Sequence, residues 1–140
     1  MGRTIFNKGD LKIWQRLPVE VGLVILLVAT IALGSAKNIT QVKMHFLDDP
    51  RHWIFQPEKI VVEFSTDGVT YFPGVLSNQP GKNEEHYEVS VKEYTATHLM
   101  KKSISYRYIR VTATNLRSLP EWRFREGKKP MIACDEIYLQ

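Results

Sequence analysis

Cysteine is nearly absent: Cys134 is the single one in 140 residues. A lone thiol excludes an intramolecular disulfide and any multi-cysteine zinc site. Its apolar setting, residues 131–134, predicts a buried and inert side chain. Long runs of one charge are missing too. The net charge is +4, and the densest basic pairs are Lys101-Lys102 and Lys128-Lys129. Nucleic-acid binding calls for a concentrated basic footprint, so no nucleic-acid partner is expected. The catalytic signatures are also missing. There is no Gly-x-Ser-x-Gly elbow, phosphate-cradling glycine loop, His-Glu-x-x-His helix or paired-cysteine motif. The four histidines, His45, His52, His86 and His98, share no metal-ligand spacing. Among the acidic pairs, Asp48-Asp49 reads as a turn before Pro50 and Glu84-Glu85 as a solvated strand entry. Nothing points to two carboxylates flanking a scissile bond, so the chain is read as non-enzymatic.

Helical periodicity is scarce, and so are apolar runs long enough to span a membrane. Residues 21–34, VGLVILLVATIALG, are nearly all apolar. A spanning helix needs about 20 such residues, and a run of 10–14 is more typical of a core segment. The β-branched residues Val24, Ile25, Val28, Thr30 and Ile31 favour a strand buried on both faces over a membrane segment. No membrane span is therefore expected, and the run lacks the features of a signal peptide.

What the chain does have is period-two alternation. Residues 60–72, IVVEFSTDGVTYF, give the strongest structural signal. Ile60, Val62 and Phe64 alternate with Val61, Glu63 and Ser65, and Thr66-Asp67-Gly68 supplies turn chemistry before strand-forming residues resume at Val69. Residues 39–47 alternate cleanly, with Val42, Met44 and Phe46 on one face and Gln41, Lys43 and His45 on the other. Tyr87, Val89 and Val91 alternate again; residues 94–102 are ambiguous and leave room for a helical turn. Residues 104–113 and 131–139 are strands, separated by a polar loop, 115–130, that holds Trp122. Residues 1–10 read as a terminal arm, 11–20 as a loop, and Pro73-Gly74 and Pro80-Gly81 as loop punctuation. Seven or eight short strands with little helix predict one all-β domain over 1–140, an antiparallel β-sandwich. The expected core is Val42, Phe46, Ile60, Val62, Phe64, Val89, Ile109, Val111 and Ile137.

Four pieces of the chain, ATIALGSAKNITQVKMHFL, VVEFSTDGVTYF, SYRYIRVTATN and CDEIYL, occur in an order that resembles discoidin-like modules. These are also called coagulation-factor type C domains, and they have a galactose-binding-like jelly-roll fold. Two further pieces, DPRHWIFQP and LPEWRFREGKKPMIACDEI, resemble the C-terminal region of bacterial chitobiase-type β-N-acetylhexosaminidases. The resemblance implies a non-catalytic accessory module of a bacterial carbohydrate-active enzyme. Its partner would be a glycan or a covalently linked glycosidase domain, in an extracellular or periplasmic setting. The alternative is a structural or protein-interaction sandwich that packs against a neighbouring catalytic domain. The resemblance also implies a structural calcium, with Asp10 and Glu136 as the matching carboxylates. The chain departs from the family pattern in the loop after Trp14 and at Arg123.

Two connections combine tryptophan with basic side chains: Arg51, His52 and Trp53 in one, Trp122, Arg123 and Arg125 in the other. Aromatic rings on loops at the end of a sandwich can stack on the apolar face of a sugar, while charged groups bond its hydroxyls. These six residues are the expected carbohydrate-binding set. Trp53 has a competing reading as a core or rim residue. Trp122 is open to two readings, a stacking platform or a plug that closes the end of the sandwich.

Overall fold

A computed structural model of the chain describes residues 2–6, 15–18, 26–98 and 104–140, with residues 2–6, 15–18 and 135 described in backbone alone. The described residues form nine strands: β1 Gly2–Phe6, β2 Gln15–Pro18, β3 Leu26–Lys37, β4 Gln41–Asp48, β5 Lys59–Ser65, β6 Phe72–Leu76, β7 Ser90–His98, β8 Tyr106–Thr114 and β9 Met131–Leu139. Their order is β1-β3-β8-β5-β6-β7-β4-β9-β2. Every pair is antiparallel except β1 with β3, which run parallel. β6 bonds to β5 of one sheet and to β7 of the other, so it is the seam between two layers of an all-β sandwich.

Alternation along the strands builds the core directly. Val42, Met44 and Phe46 are buried on β4, Ile60, Val62 and Phe64 on β5, and Ile109, Val111 and Ala113 on β8. They join Leu27, Ile31, Ile132 and Ile137 in one continuous cluster. Of the expected core, Val89 fails. It precedes β7 and is 61% exposed, because the strand starts one residue later and its buried positions are Tyr94 and Ala96.

Other expectations change in instructive ways. Backbone pairing with β3 makes a strand of residues 2–6, within the expected terminal arm. Gln15–Pro18 pairs with β9 where a loop was expected. β3 buries Leu27, Ala29, Ile31 and Leu33 on one face and Thr30 on the other, where Leu26, Val28 and Ala32 are half-buried, and it continues past Gly34 to Lys37. Residues 21–25 lie outside the described residues, and no helix among the described residues is long and apolar enough to cross a membrane. Residues 94–98 are strand rather than helical turn, and 99–103 are outside the described residues. Pro73 and Gly74 belong to β6 and not to a loop.

The hairpin between β5 and β6 has a longer loop than its sequence predicts, resuming as strand at Phe72 and not at Val69. Asp67 organises it. Its Oδ1 accepts the amides of Val69 at 2.8 Å and Thr70 at 2.9 Å and the Ser65 hydroxyl at 3.1 Å, while Ser65 Oγ accepts the Gly68 amide at 2.8 Å. Gly68 holds φ +81°, a left-handed conformation that costs glycine nothing. The Thr70 and Val69 amides hold the Asp67 carboxyl below the usual carboxylate range. A depressed folded value means the stabilisation is present at neutral pH and disappears as acid protonates the group. Asp67→Ala is therefore expected to lower the melting temperature by a few degrees at pH 7, with the gap closing in acid. Amide exchange at Val69 and Thr70 should accelerate; unchanged protection would remove Asp67 from this role.

Candidate functional site

The two tryptophan-bearing connections meet at one end of the sandwich. After β4, Asp49 leads into a single 3-10 turn, Pro50–His52, and Trp53 follows in a left-handed conformation, φ 67° and ψ 23°. It is the one non-glycine residue with positive φ among the described residues. Such backbone costs on the order of 1–3 kcal/mol and persists where neighbours over-determine it. The neighbour here is Arg123, from the second 3-10 turn, Glu121–Arg123. Its guanidinium lies 3.5 Å from the centre of the Trp53 ring. Its Nε donates to the Pro50 carbonyl at 2.9 Å, and a terminal nitrogen donates to the Arg51 carbonyl at 3.2 Å. The planar fork thus stacks and bonds at once, which a lysine could not do.

Of the expected sugar-binding residues, the structure joins Arg51, Trp53 and Arg123 directly. Trp53 is half-buried; Arg51, His52 and Arg125 are exposed. The His52 ring turns to the Asp49 carboxylate, Nδ1 to Oδ2 at 2.7 Å. The core side chains of this connection are Ile54 and Phe55, not Trp53.

Trp122 is placed differently. Its indole N–H donates to the Asn83 carbonyl at 2.9 Å, and its ring meets Phe55, His86 and Tyr87 with centroid distances of 6.0, 6.2 and 5.8 Å. The Tyr87 hydroxyl donates to the Trp122 carbonyl at 3.3 Å. This is the environment of a plug: three rings around the indole and its polar handle satisfied. The exposed aromatic of the same loop is Phe124, 71% accessible and next to Arg123, which sequence reasoning passed over.

Beside Trp122 lies a polar cavity of about 290 Å3 that the sequence reading did not anticipate. Asp48, Gln56, Asn83, His86, Lys92 and Tyr94 contribute to its wall. Asp48 is 1% exposed. Its Oδ2 faces His86 Nε2 at 3.0 Å and Lys92 Nζ at 3.8 Å, whereas its Oδ1 has no hydrogen-bond partner among the described residues. Burial pushes the Asp48 carboxyl above its usual range, and this outweighs the opposing pull of His86 and Lys92. Tyr94 donates to Gln56 Oε1 at 2.8 Å, and burial followed by the Asp48 charge pushes its phenol up to about 12. The Gln56 amide nitrogen donates to the Leu47 carbonyl at 3.3 Å, which fixes the orientation of the group. Asp48-Asp49 is therefore more than a turn before Pro50, since both carboxylates are buried. The signal for Asp48 was available: it continues the inward parity of Val42, Met44 and Phe46.

Of the two residues matched to a calcium site, Asp10 lies outside the described residues. Glu136 accepts from the Tyr138 hydroxyl and sits 3.4 Å from His45 Nδ1. Calcium takes six to eight oxygens, and no group of three or more His, Cys, Asp or Glu suited to a metal occurs among the described residues. Cys134 is buried on β9, as its apolar setting predicts.

No protein-family model and no curated protein sequence matches the chain.

Proposed function

We propose that this chain is a non-catalytic glycan-binding module, a discoidin-like jelly roll that serves a bacterial carbohydrate-active enzyme outside the cytoplasm. One observation carries the reading. Two separate connections deliver Trp53 and Arg123 to one end of the sandwich as a stacked pair, 3.5 Å apart, next to the exposed ring of Phe124. Rings supply a face for a pyranose, and the surrounding Arg51, His52 and Arg125 supply donors for hydroxyls. The positive φ of Trp53 supports the same reading, because strain of this kind gathers at binding sites.

Phe124 offers the cleanest test because its exposed side chain contributes little to the core. Phe124→Ala and Trp53→Ala are each expected to weaken glycan binding about tenfold or more on an array or by titration calorimetry, a loss of about 1.4 kcal/mol. The melting temperature of Phe124→Ala should stay within a degree or two of the wild type. If wild-type protein retains no glycan on a broad array, the reading is wrong. A second reading, a domain that packs on a neighbour, is favoured by the exposure of Phe124 together with Val69 and Val89, and an inert array would leave it standing.

A further inference from the structure

We propose that the cavity between β4, β7 and residues 81–86 is the recognition pocket for neutral vicinal hydroxyls, with Asp48 as acceptor and Lys92 as donor. The proposal rests on the glycan reading and adds to it the charge class of the sugar and a second group of residues, separate from the Trp53–Arg123 surface.

The argument starts from an unmet hydrogen bond. A carboxylate oxygen buried without a partner is a standing cost to the fold, and Asp48 Oδ1, in the side chain that walls the cavity, has none among the described residues. A ligand that brings a donor relieves it. The other oxygen of the same carboxylate already holds His86 and Lys92. A cationic ligand would compete with those two groups for one carboxylate, while a hydroxyl donates without bringing a second charge. Lys92 is half-exposed at the rim and 3.8 Å from Asp48 Oδ2, so its remaining donors can reach an adjacent hydroxyl oxygen. One hydroxyl on Asp48 and its neighbour on Lys92 is recognition of a vicinal pair.

Charge also sets what is refused. Glu84 and Glu85 share the wall with Asp48, so a uronate or other anionic sugar meets carboxylates on several sides, with Lys82, Lys92 and His86 opposing them. The chain as a whole is cationic, and its net charge alone would point to acidic ligands. Inside the cavity the carboxylates and the basic groups nearly balance, so neither sign of ligand is favoured. The cavity volume, about 290 Å3, lies at the small end of ligand pockets and suits one ring. Trp122 closes one side through His86 and Asn83, and the Tyr94–Gln56 bond fixes another.

The burial that raises the Asp48 carboxyl gives the proposal a second readout. A raised folded value means that the group favours folding below the unfolded value of 3.8 and opposes it once pH rises through the folded value. His86, Lys92, Lys82, Asp49, Glu84, Glu85 and Tyr94 are the other titratable groups that border it. A residue that opposes folding at neutral pH and is present for binding should gain stability and lose function when neutralised.

The test measures neutral hexoses (glucose, galactose, mannose) against glucosamine, galactosamine and the matching uronates. Saturation-transfer NMR and calorimetry report on the full chain and on Asp48→Asn and Lys92→Met. Expected are binding of a neutral hexose, at least tenfold weaker binding of its amino and uronate counterparts, and at least tenfold loss in both variants. Asp48→Asn should hold or raise the melting temperature at pH 7. Should Asp48→Asn fail to fold, Lys92→Met decides, since Lys92 is on the rim. Wild-type affinity in that variant, or preference for an amino sugar or uronate, overturns the proposal. So does absence of hexose binding while polymeric glycans still bind. In that case the glycan reading stands and the ligand lies on the Trp53–Phe124 surface. Absence of all glycan binding overturns both.

Discussion

Gly74→Ala is expected to destabilise the protein more than its single added methyl would imply, by about 3 kcal/mol, at the top of the usual overpacking range. A Cβ at Gly74 would lie 2.7 Å from Phe64 Cε2, 3.0 Å from the Thr97 carbonyl oxygen and 3.2 Å from that of Val62. Two of those atoms are backbone, and the third belongs to a fully buried ring that also contacts Tyr106 and His98. None can retreat cheaply. The position is also where β6 passes from one sheet to the other, so displacement there loosens both layers. Thermal denaturation should show a fall of roughly 10 °C. Gly81→Ala is the control: it has no neighbour within 4 Å of a built Cβ and should melt like the wild type. Equal melting of both variants would show that the seam tolerates a wider separation.

The second large effect is expected at Trp122. Truncating a fully buried tryptophan costs about 3–5 kcal/mol, and a half-buried one with its indole N–H bonded should cost about 2 kcal/mol or more. Trp122→Ala removes ring contacts to Phe55, His86 and Tyr87 and leaves the Asn83 carbonyl without its donor. A fall of roughly 5–10 °C in melting temperature is expected, together with loss of near-ultraviolet dichroism from the indole. Phe124→Ala, two residues away, should not share it. If instead Trp122→Ala melts like the wild type, the indole is a platform and not a plug.

How much of this was legible depends on which force decided each element. Where one face is buried, alternation is enough, and β4, β5 and β8 follow it closely, whereas a bulge in β9 shifts its buried parity from Ile132 and Cys134 to Ile137 and Leu139. β1 and β2 are strands because β3 and β9 offer unpaired backbone, a tertiary cause with little trace in residues 2–6 or 15–18. Gly74 looked like turn punctuation beside Pro73. A glycine within a strand more often marks a close backbone approach, and that is its role here. At the candidate site, Trp53 and Arg123, which the pairing of tryptophan with arginine singles out, lie in contact. That pairing could not say which indole would be enclosed, because Phe55, His86 and Tyr87 arrive from other parts of the chain. Asp48 was misjudged for the opposite reason. Pro50 marks a turn two residues on, while Asp48 itself keeps the inward parity of β4.

The parallel pairing of β1 with Leu27–Ile31 also bears on the risk of edge-to-edge aggregation. The apolar run of β3 would make a ready template for cross-β assembly if it stood at a sheet edge. Its antiparallel neighbour β8, Tyr106–Thr114, is synthesised some seventy residues later. Among the described residues, Gly2–Phe6 is the partner of β3 that precedes it in the chain. In the finished fold β1 covers the edge that β3 would otherwise present, so removing residues 2–6 would leave the apolar strand at the border of its sheet.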